Sequence, residues 1–182
     1  MPKIPWTLEV FSTDEGREPF SAFTDQLSDV AFAALDAALE HVLGLRGIDL
    51  AGTEWLKPLG QGLHEFRVRH SGPEIAHMFA GERADHIPRP GDSVLLRVFV
   101  HFHGRRIILL LSGYDKGADP SSRRQKREIA AARKSLTAWK QQQARQNARA
   151  RKGMLLNGRN PTSHRRLRSG SHCSCPLMAS IP

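Results

Sequence analysis

The spacing of apolar positions changes several times along the chain, and each change marks an element. Trp6 to Phe11, WTLEVF, alternates like a half-buried strand. After the polar, turn-rich STDEGREPF, Phe20, Phe23 and Leu27 recur at helical spacing. Ser28 and Asp29 then read as a cap before VAFAALDAALEHVLGLRG, in which Phe32, Leu35, Leu39 and Val42 make one apolar stripe that Gly44 and Gly47 end. A helical hairpin is therefore expected after the first strand. IDLAGTEWLKPLGQG, which follows, reads as a link.

LHEFRVRH returns to period two. Leu63, Glu65, Arg67 and Arg69 share one face, and His64, Phe66, Val68 and His70 the other. The stretch Gly72 to Asp92 is rich in Gly, Pro and charge, and reads as a long loop or a small extra hairpin through Glu74 to Phe79. SVLLRVFVHFHG and RRIILLLSGY are the longest aliphatic runs. They predict two central strands joined by a tight connection at His103, Gly104 and Arg105. Asp119-Pro120-Ser121 opens a final helix with a narrow stripe of Ile129, Ala132, Leu136 and Trp139. The expected fold is α+β: a small antiparallel sheet with an N-terminal helical hairpin and a C-terminal helix, the helices packed on one face.

At 182 residues the chain fits one domain and a tail. The expected domain is 1–142, with an insertion at 72–92, and 143–182 reads as a basic, disordered tail. No stretch approaches the ~18 apolar residues of a membrane span. The N-terminus, MPKIPWTLEV, lacks the apolar run of a secretory signal, so a cytoplasmic protein without a membrane partner is expected. Cys173 and Cys175 stand in the unpatterned tail and cannot staple the domain. Their CxC pair has no partner pair to complete a zinc site.

Charge sharpens this picture. The net +9 conceals a gradient: residues 1–60 carry 4 Lys+Arg against 10 Asp+Glu, whereas 120–152 carry 11 against 1. A strongly basic end attracts a polyanion, or else solubilises the chain. Arg123, Arg124, Lys126 and Arg127 crowd the start of the last helix, where the helix dipole makes each unfavourable by about 0.3–1 kcal/mol unless an anion is present. Glu128 is a single carboxylate and cannot serve four cations. Backbone N–H groups plus arginines at a helix start suit phosphate, and a solvated charged face is the alternative.

Other cations point to the same place. Arg67 and Arg69 project from one strand and Arg97 from the next, while Val94, Leu96, Val98 and Val100 occupy the opposite face. An arginine inside LLRVFV must reach a partner or the sheet edge, because burying it alone is very costly. Tyr114, the chain's single tyrosine, and Lys116 leave the following strand beside it. This set suits RNA cleavage without a metal or other cofactor. The ribose 2′-hydroxyl attacks the adjacent phosphate, so the site needs a proton acceptor, a proton donor and cations for the transition-state charge. Tyr114 can exchange a proton or stack on a base. Asp115 and Glu65 are possible bases, with a turn aspartate and a strand-edge glutamate paired with arginine as the structural alternatives. His101 and His103 share a strand face and can serve acid-base chemistry or simply flank the turn. No third ligand is spaced to complete a metal site with them.

The segments WLKPLGQGLHEFRV, LLRVFVHFHGRRIILLLSGYDKGADP and REIAAARKSL resemble the HigB-type, phage-derived branch of the RelE/ParE toxin superfamily. With the first strand and the hairpin, the resemblance spans roughly residues 5–140. It implies the toxin of a type II toxin-antitoxin pair. Such a toxin is a ribosome-dependent mRNA endoribonuclease, neutralised by a helix-turn-helix antitoxin in a hetero-oligomer. By position, Arg67 and Arg97 match the family's strand arginines, and Tyr114 and Lys116 its aromatic and basic residues after the last core strand; these four are the expected catalytic set, while Arg69, Arg123, Arg124, Lys126 and Arg127, from the charge pattern, are the expected RNA contacts. The sequence departs from the pattern in its longer 72–92 insertion, in Asp115 and Gly117, which dilute the expected basic pair, and in its tail. Two other functions remain open: a ParE-like, non-enzymatic inhibitor of a protein such as gyrase, and an inactive nucleic-acid-binding relative.

Overall fold

The computed structural model describes residues 5–80 and 94–157. Five strands form one sheet in the order β1-β5-β4-β3-β2: β1 (Thr7–Val10), β2 (Leu56–Gly60), β3 (Leu63–Val68), β4 (Leu96–His103) and β5 (Ile107–Asp115). The chain is α+β, as its pattern predicts, and the two longest apolar runs do lie inside the sheet. The sheet is mixed, however, and not antiparallel throughout, because β1 pairs in parallel with β5. A hairpin turn can only produce antiparallel neighbours, and β1 reaches β5 across most of the chain.

β2 is a strand where a link is expected. It holds the sheet edge, where Pro58 removes no ladder donor, and a register shift falls between Pro58 and Gly60. The β2–β3 turn runs through positive φ at Gly60, Gln61 and Gly62.

Helices α1 (Pro19–Thr24) and α2 (Asp29–Ala37) follow β1. Ser28 caps α2, its Oγ accepting from the Ala31 N–H at 3.3 Å. A π-helical turn (Ala38–Leu43), a short α3 (Gly44–Arg46) and a 3-10 turn (Gly47–Leu50) continue the path. The buried stripe is Ala34, Leu35, Ala38, Val42 and Leu43, while Phe32, expected in it, is 49% exposed. Ala31, Ala34, Leu35 and Ala38 follow ordinary helical spacing on the covered side, and Phe32 lies off that stripe, before the π-turn begins. In place of a loop or hairpin, residues 72–80 form α4 (Gly72–Ala80), which buries Ile75. The rest of the insertion, 81–92, lies outside the described residues.

Layering is decided by strand parity. Phe66, Val68, Leu96, Val98, Val100, Ile108 and Leu110 face the larger core, with Phe20, Phe23, Leu35, Val42 and Ile75. Leu63, Phe99, Leu109, Leu111 and Tyr114 face a second core, which Ala132 and Leu136 of α5 (Ser122–Asn157) close. Helices therefore cover both faces rather than one. Gly113 makes the α1 side possible: a Cβ there would stand 2.4 Å from the Phe23 ring and 3.0 Å from the Arg97 carbonyl.

The chain divides into two units, 1–145 and 146–182. In the first, α5 is fastened to the turns beneath it. Arg133 Nη2 donates to Leu59 O at 3.1 Å, Lys140 Nζ to Gln61 O at 3.2 Å, and Arg145 Nη2 reaches Asp14 Oδ2 at 2.8 Å. In the second, residues 146–157 are helical. The pattern predicts a structureless tail from 143, but Gln, Ala, Arg and Lys are good helix formers without any stripe to bury. Residues 158–182, with both cysteines, lie outside the described residues. Among the described residues, no helix is long and apolar enough to cross a membrane.

Candidate functional site

Three neighbouring strands bring the predicted residues into one row. Arg67 on β3 is the register partner of Arg97 on β4, and Arg97 is the partner of Tyr114 on β5. The adjacent row holds Glu65, Phe99 and Ser112. Cross-strand partners share a face, so both rows present side chains toward α5.

Glu65 organises the row, and it is fully buried. Its Oε2 accepts from Arg67 Nε at 3.1 Å, its Oε1 accepts from Gln125 Nε2 at 3.2 Å, and Arg97 Nε stands 3.6 Å from Oε1. The strand arginines, which nothing in the sequence obviously neutralises, thus share one carboxylate. This is the arginine-paired alternative for Glu65, in a buried strand position rather than at an edge. The pairing occupies both oxygens, which leaves Glu65 ill placed to abstract a substrate proton.

Arg97 is 4% exposed. Its Nη1 donates to Leu96 O at 2.8 Å, a strand carbonyl beside it. Burial pulls the guanidinium pKa down, the Glu65 charge pulls it back up, and Arg67 and Arg69 oppose it. Arginine remains protonated at any working pH, so this group is a fixed, desolvated positive charge.

Tyr114 is 2% exposed and stacks on Phe99 with ring centroids 6.0 Å apart, while the Arg124 guanidinium lies 5.6 Å from its ring centre. Its hydroxyl is buried and makes no hydrogen bond to any described residue. Leaving a buried hydroxyl unpaired costs about 1–3 kcal/mol, which a phenylalanine would avoid. Burial raises the phenol pKa, and the negative charge of Glu65 raises it further. The hydroxyl is therefore a proton donor rather than a base near neutral pH.

That shift gives a direct measurement. Tyr114 is the chain's one tyrosine, so tyrosinate absorbance on alkaline titration reads it alone. A raised folded pKa means that the folded state holds the proton longer than the unfolded state. Stability is therefore lost as pH rises from the ordinary tyrosine range through the higher folded value. The expected midpoint lies above that of free tyrosine and returns to it in urea; an ordinary midpoint in the folded protein would contradict the burial.

The other predicted residues divide. Arg69, exposed just past β3, adds to the positive field at Arg97. Lys116 is half-buried in the turn after β5, its backbone N–H donating to Leu95 O at 2.8 Å. Asp115 is the turn residue, its Oδ1 accepting from the N–H groups of Gly117 and Ala118 at 2.7 and 3.3 Å. At the start of α5, Ser121 Oγ accepts the Arg124 N–H at 3.2 Å, and Asp119 folds back on Ser121. Arg124 lies between Asp119 and Glu128, at 3.9 and 3.8 Å, and Arg127 meets Glu128 at 3.3 Å. Arg123, Lys126 and Arg127 are exposed and form an outer cationic surface beyond the row.

His101 and His103 stack 6.1 Å apart, and Trp139 of α5 packs on both at 5.3 and 4.6 Å. His101 Nδ1 is 2.8 Å from Gly62 O, and burial lowers the His101 pKa. Among the described residues no three His, Cys, Asp or Glu side chains gather to hold a metal. The pair serves the docking of α5.

Two participants had little or no sequence signal. Gln125 is one polar residue in a polar helix start, and Phe99 reads as ordinary core. Glu65 was visible on the arginine face, but the bridge it makes depends on β4 lying beside β3. No family model, curated protein or solved structure matches this chain.

Proposed function

We propose that the chain is the toxin of a type II toxin-antitoxin pair, a cytoplasmic, ribosome-dependent endoribonuclease of RelE/ParE-like fold. The observation that carries this reading is the row Arg67, Arg97 and Tyr114, one charge or hydroxyl from each of three adjacent strands. Around it the helix start supplies Arg123, Lys126 and Arg127 on the exposed side. One carboxylate, Glu65, faces both strand arginines, so the row keeps an excess of positive charge.

In the proposed reaction the 2′-hydroxyl forms a bond to phosphorus and the bond to the 5′-oxygen breaks. The 2′-proton leaves to a base, and the departing oxygen receives one. Arginine charge stabilises the phosphorane-like transition state, and the exposed cations hold the flanking phosphates. Arg67, whose side chain is 20% exposed, is the member of the row that reaches solvent. The antitoxin, a helix-turn-helix protein with an acidic or apolar arm, would cover this cationic face.

A second reading has its own observation. Arg97 and Tyr114 are 4% and 2% exposed, so neither touches a substrate unless the start of α5 moves. Without that movement the cationic face is a binding surface, as in a non-enzymatic inhibitor or an inactive RNA-binding relative.

Inducible expression in bacteria separates the two. The wild type is expected to arrest growth and to create new mRNA 5′ ends inside translated codons. Arg97→Ala with Lys116→Ala should abolish both, and Arg67→Ala, at the partly exposed position, should lower cleavage by about 10²–10³. Arrest without cleavage sinks the nuclease and favours the inhibitor; no arrest removes the toxin.

A further inference from the structure

We infer that Glu65 is a positioning residue: its carboxylate sets the orientation of the Arg67 and Arg97 guanidiniums and ties both to α5 through Gln125. The inference rests on the nuclease reading for its kinetic consequence, but not for its geometry.

Glu65 joins three elements at one point. It belongs to β3, contacts Arg67 on its own strand at 3.1 Å, faces Arg97 on β4 at 3.6 Å, and accepts from Gln125 of α5 at 3.2 Å. Each contact limits a long side chain that otherwise samples many rotamers. Two guanidiniums side by side repel, and without an anion between them they would splay apart. Among the described residues the other group that holds Arg97 is the Leu96 carbonyl, which carries no charge. A carboxylate whose two oxygens face different arginines sets their separation, which a single pair would not.

The same position makes Glu65 unfavourable for binding RNA as such. It adds negative charge to a region whose exposed cations, Arg69 just past β3 and Arg123, Lys126 and Arg127 at the start of α5, would attract phosphate. A group that opposes affinity but aligns the reacting cations should show opposite signs in the two measurements. That split distinguishes positioning from folding, because a destabilised protein loses affinity and turnover together.

Glu65→Gln keeps the shape and one acceptor oxygen while removing the charge. Glu65→Asp keeps the charge but withdraws it by one methylene. Both are to be compared with the wild type in a purified translation system, for cleavage of programmed mRNA, and in solution, for binding of a single-stranded RNA oligonucleotide at fixed salt. Glu65→Gln is expected to bind the oligonucleotide as tightly as the wild type or more tightly, and to cleave on the order of 10²-fold more slowly at saturation, the cost of a misplaced catalytic group. Glu65→Asp should also bind normally and cleave slowly. If Glu65→Gln does not fold, Glu65→Asp carries the comparison. Wild-type turnover in the variant that folds overturns the inference, and so does a parallel loss of binding and turnover.

A second readout is independent of activity. The 15Nε–H resonances of Arg67 and Arg97 should be resolved and slowly exchanging in the wild type, and should broaden in the variants. Unchanged resonances overturn the inference too. A wild type that cleaves nothing removes the nuclease reading and leaves these spectra to decide the geometry alone.

Discussion

Glu65→Leu is expected to lower folding stability by about 3–5 kcal/mol, because it strands a buried guanidinium. Arg97 is 4% exposed, and its contact with the Leu96 carbonyl cannot neutralise a charge. Arg97→Leu should cost less. Glu65 would keep Arg67 at 3.1 Å and Gln125 at 3.2 Å, and Arg67 reaches solvent. The double replacement should recover part of the single losses, with a coupling of about 0.5–3 kcal/mol, since a buried ion pair exchanged for apolar side chains costs little. Urea unfolding of the three variants measures the cycle. If Glu65→Leu costs no more than a typical surface change, Arg97 is not held as described.

Phe99→Ala should cost a similar amount, about 3–5 kcal/mol, through the cavity it opens. Phe99 is fully buried on the face under α5, where Leu63, Leu109, Leu111, Tyr114 and Leu136 share its cluster. It also supports the Tyr114 ring at 6.0 Å. The same variant should therefore bring the alkaline titration of Tyr114 back toward the ordinary phenol range. Phe32→Ala is the matching control. Phe32 lies on α2 and is 49% exposed, so its loss should stay within about 0.5 kcal/mol. Equal losses for the two phenylalanines would mean that the second core does not lie where β4 and α5 place it.

Much of the candidate site was visible before any fold. The alternation in LHEFRVRH put Glu65, Arg67 and Arg69 on one face, and the alternation in LLRVFV put Arg97 opposite its valines; both agree with the two cores. Parity is local, since a strand turns each successive side chain over whatever lies next to it. The burial of Arg97 and Tyr114 was not visible. It depends on which helix covers that face, and α5 follows both strands.

Elements whose residues contradict their own local signal are not legible in the sequence either. β2 carries Lys57 and Pro58, residues poor in strands, and becomes a strand because β3 offers its edge. Residues 72–80 read as loop from Gly72 and Pro73, yet these stand at the start of α4, where a proline costs no helix bond.

The sequence by itself determined the α+β class, the parity of β3 and β4, the central place of the two aliphatic strands, and the concentration of positive charge at the last helix. These follow from periodicity and composition, which act over a few residues. Only the tertiary structure decided the parallel pairing of β1 with β5, the covering of both sheet faces, and the meeting of Glu65 with Arg67, Arg97 and Gln125. Each of these joins groups far apart in the chain. Their partners are chosen by the burial of apolar surface over the whole domain, a sum that no local window contains.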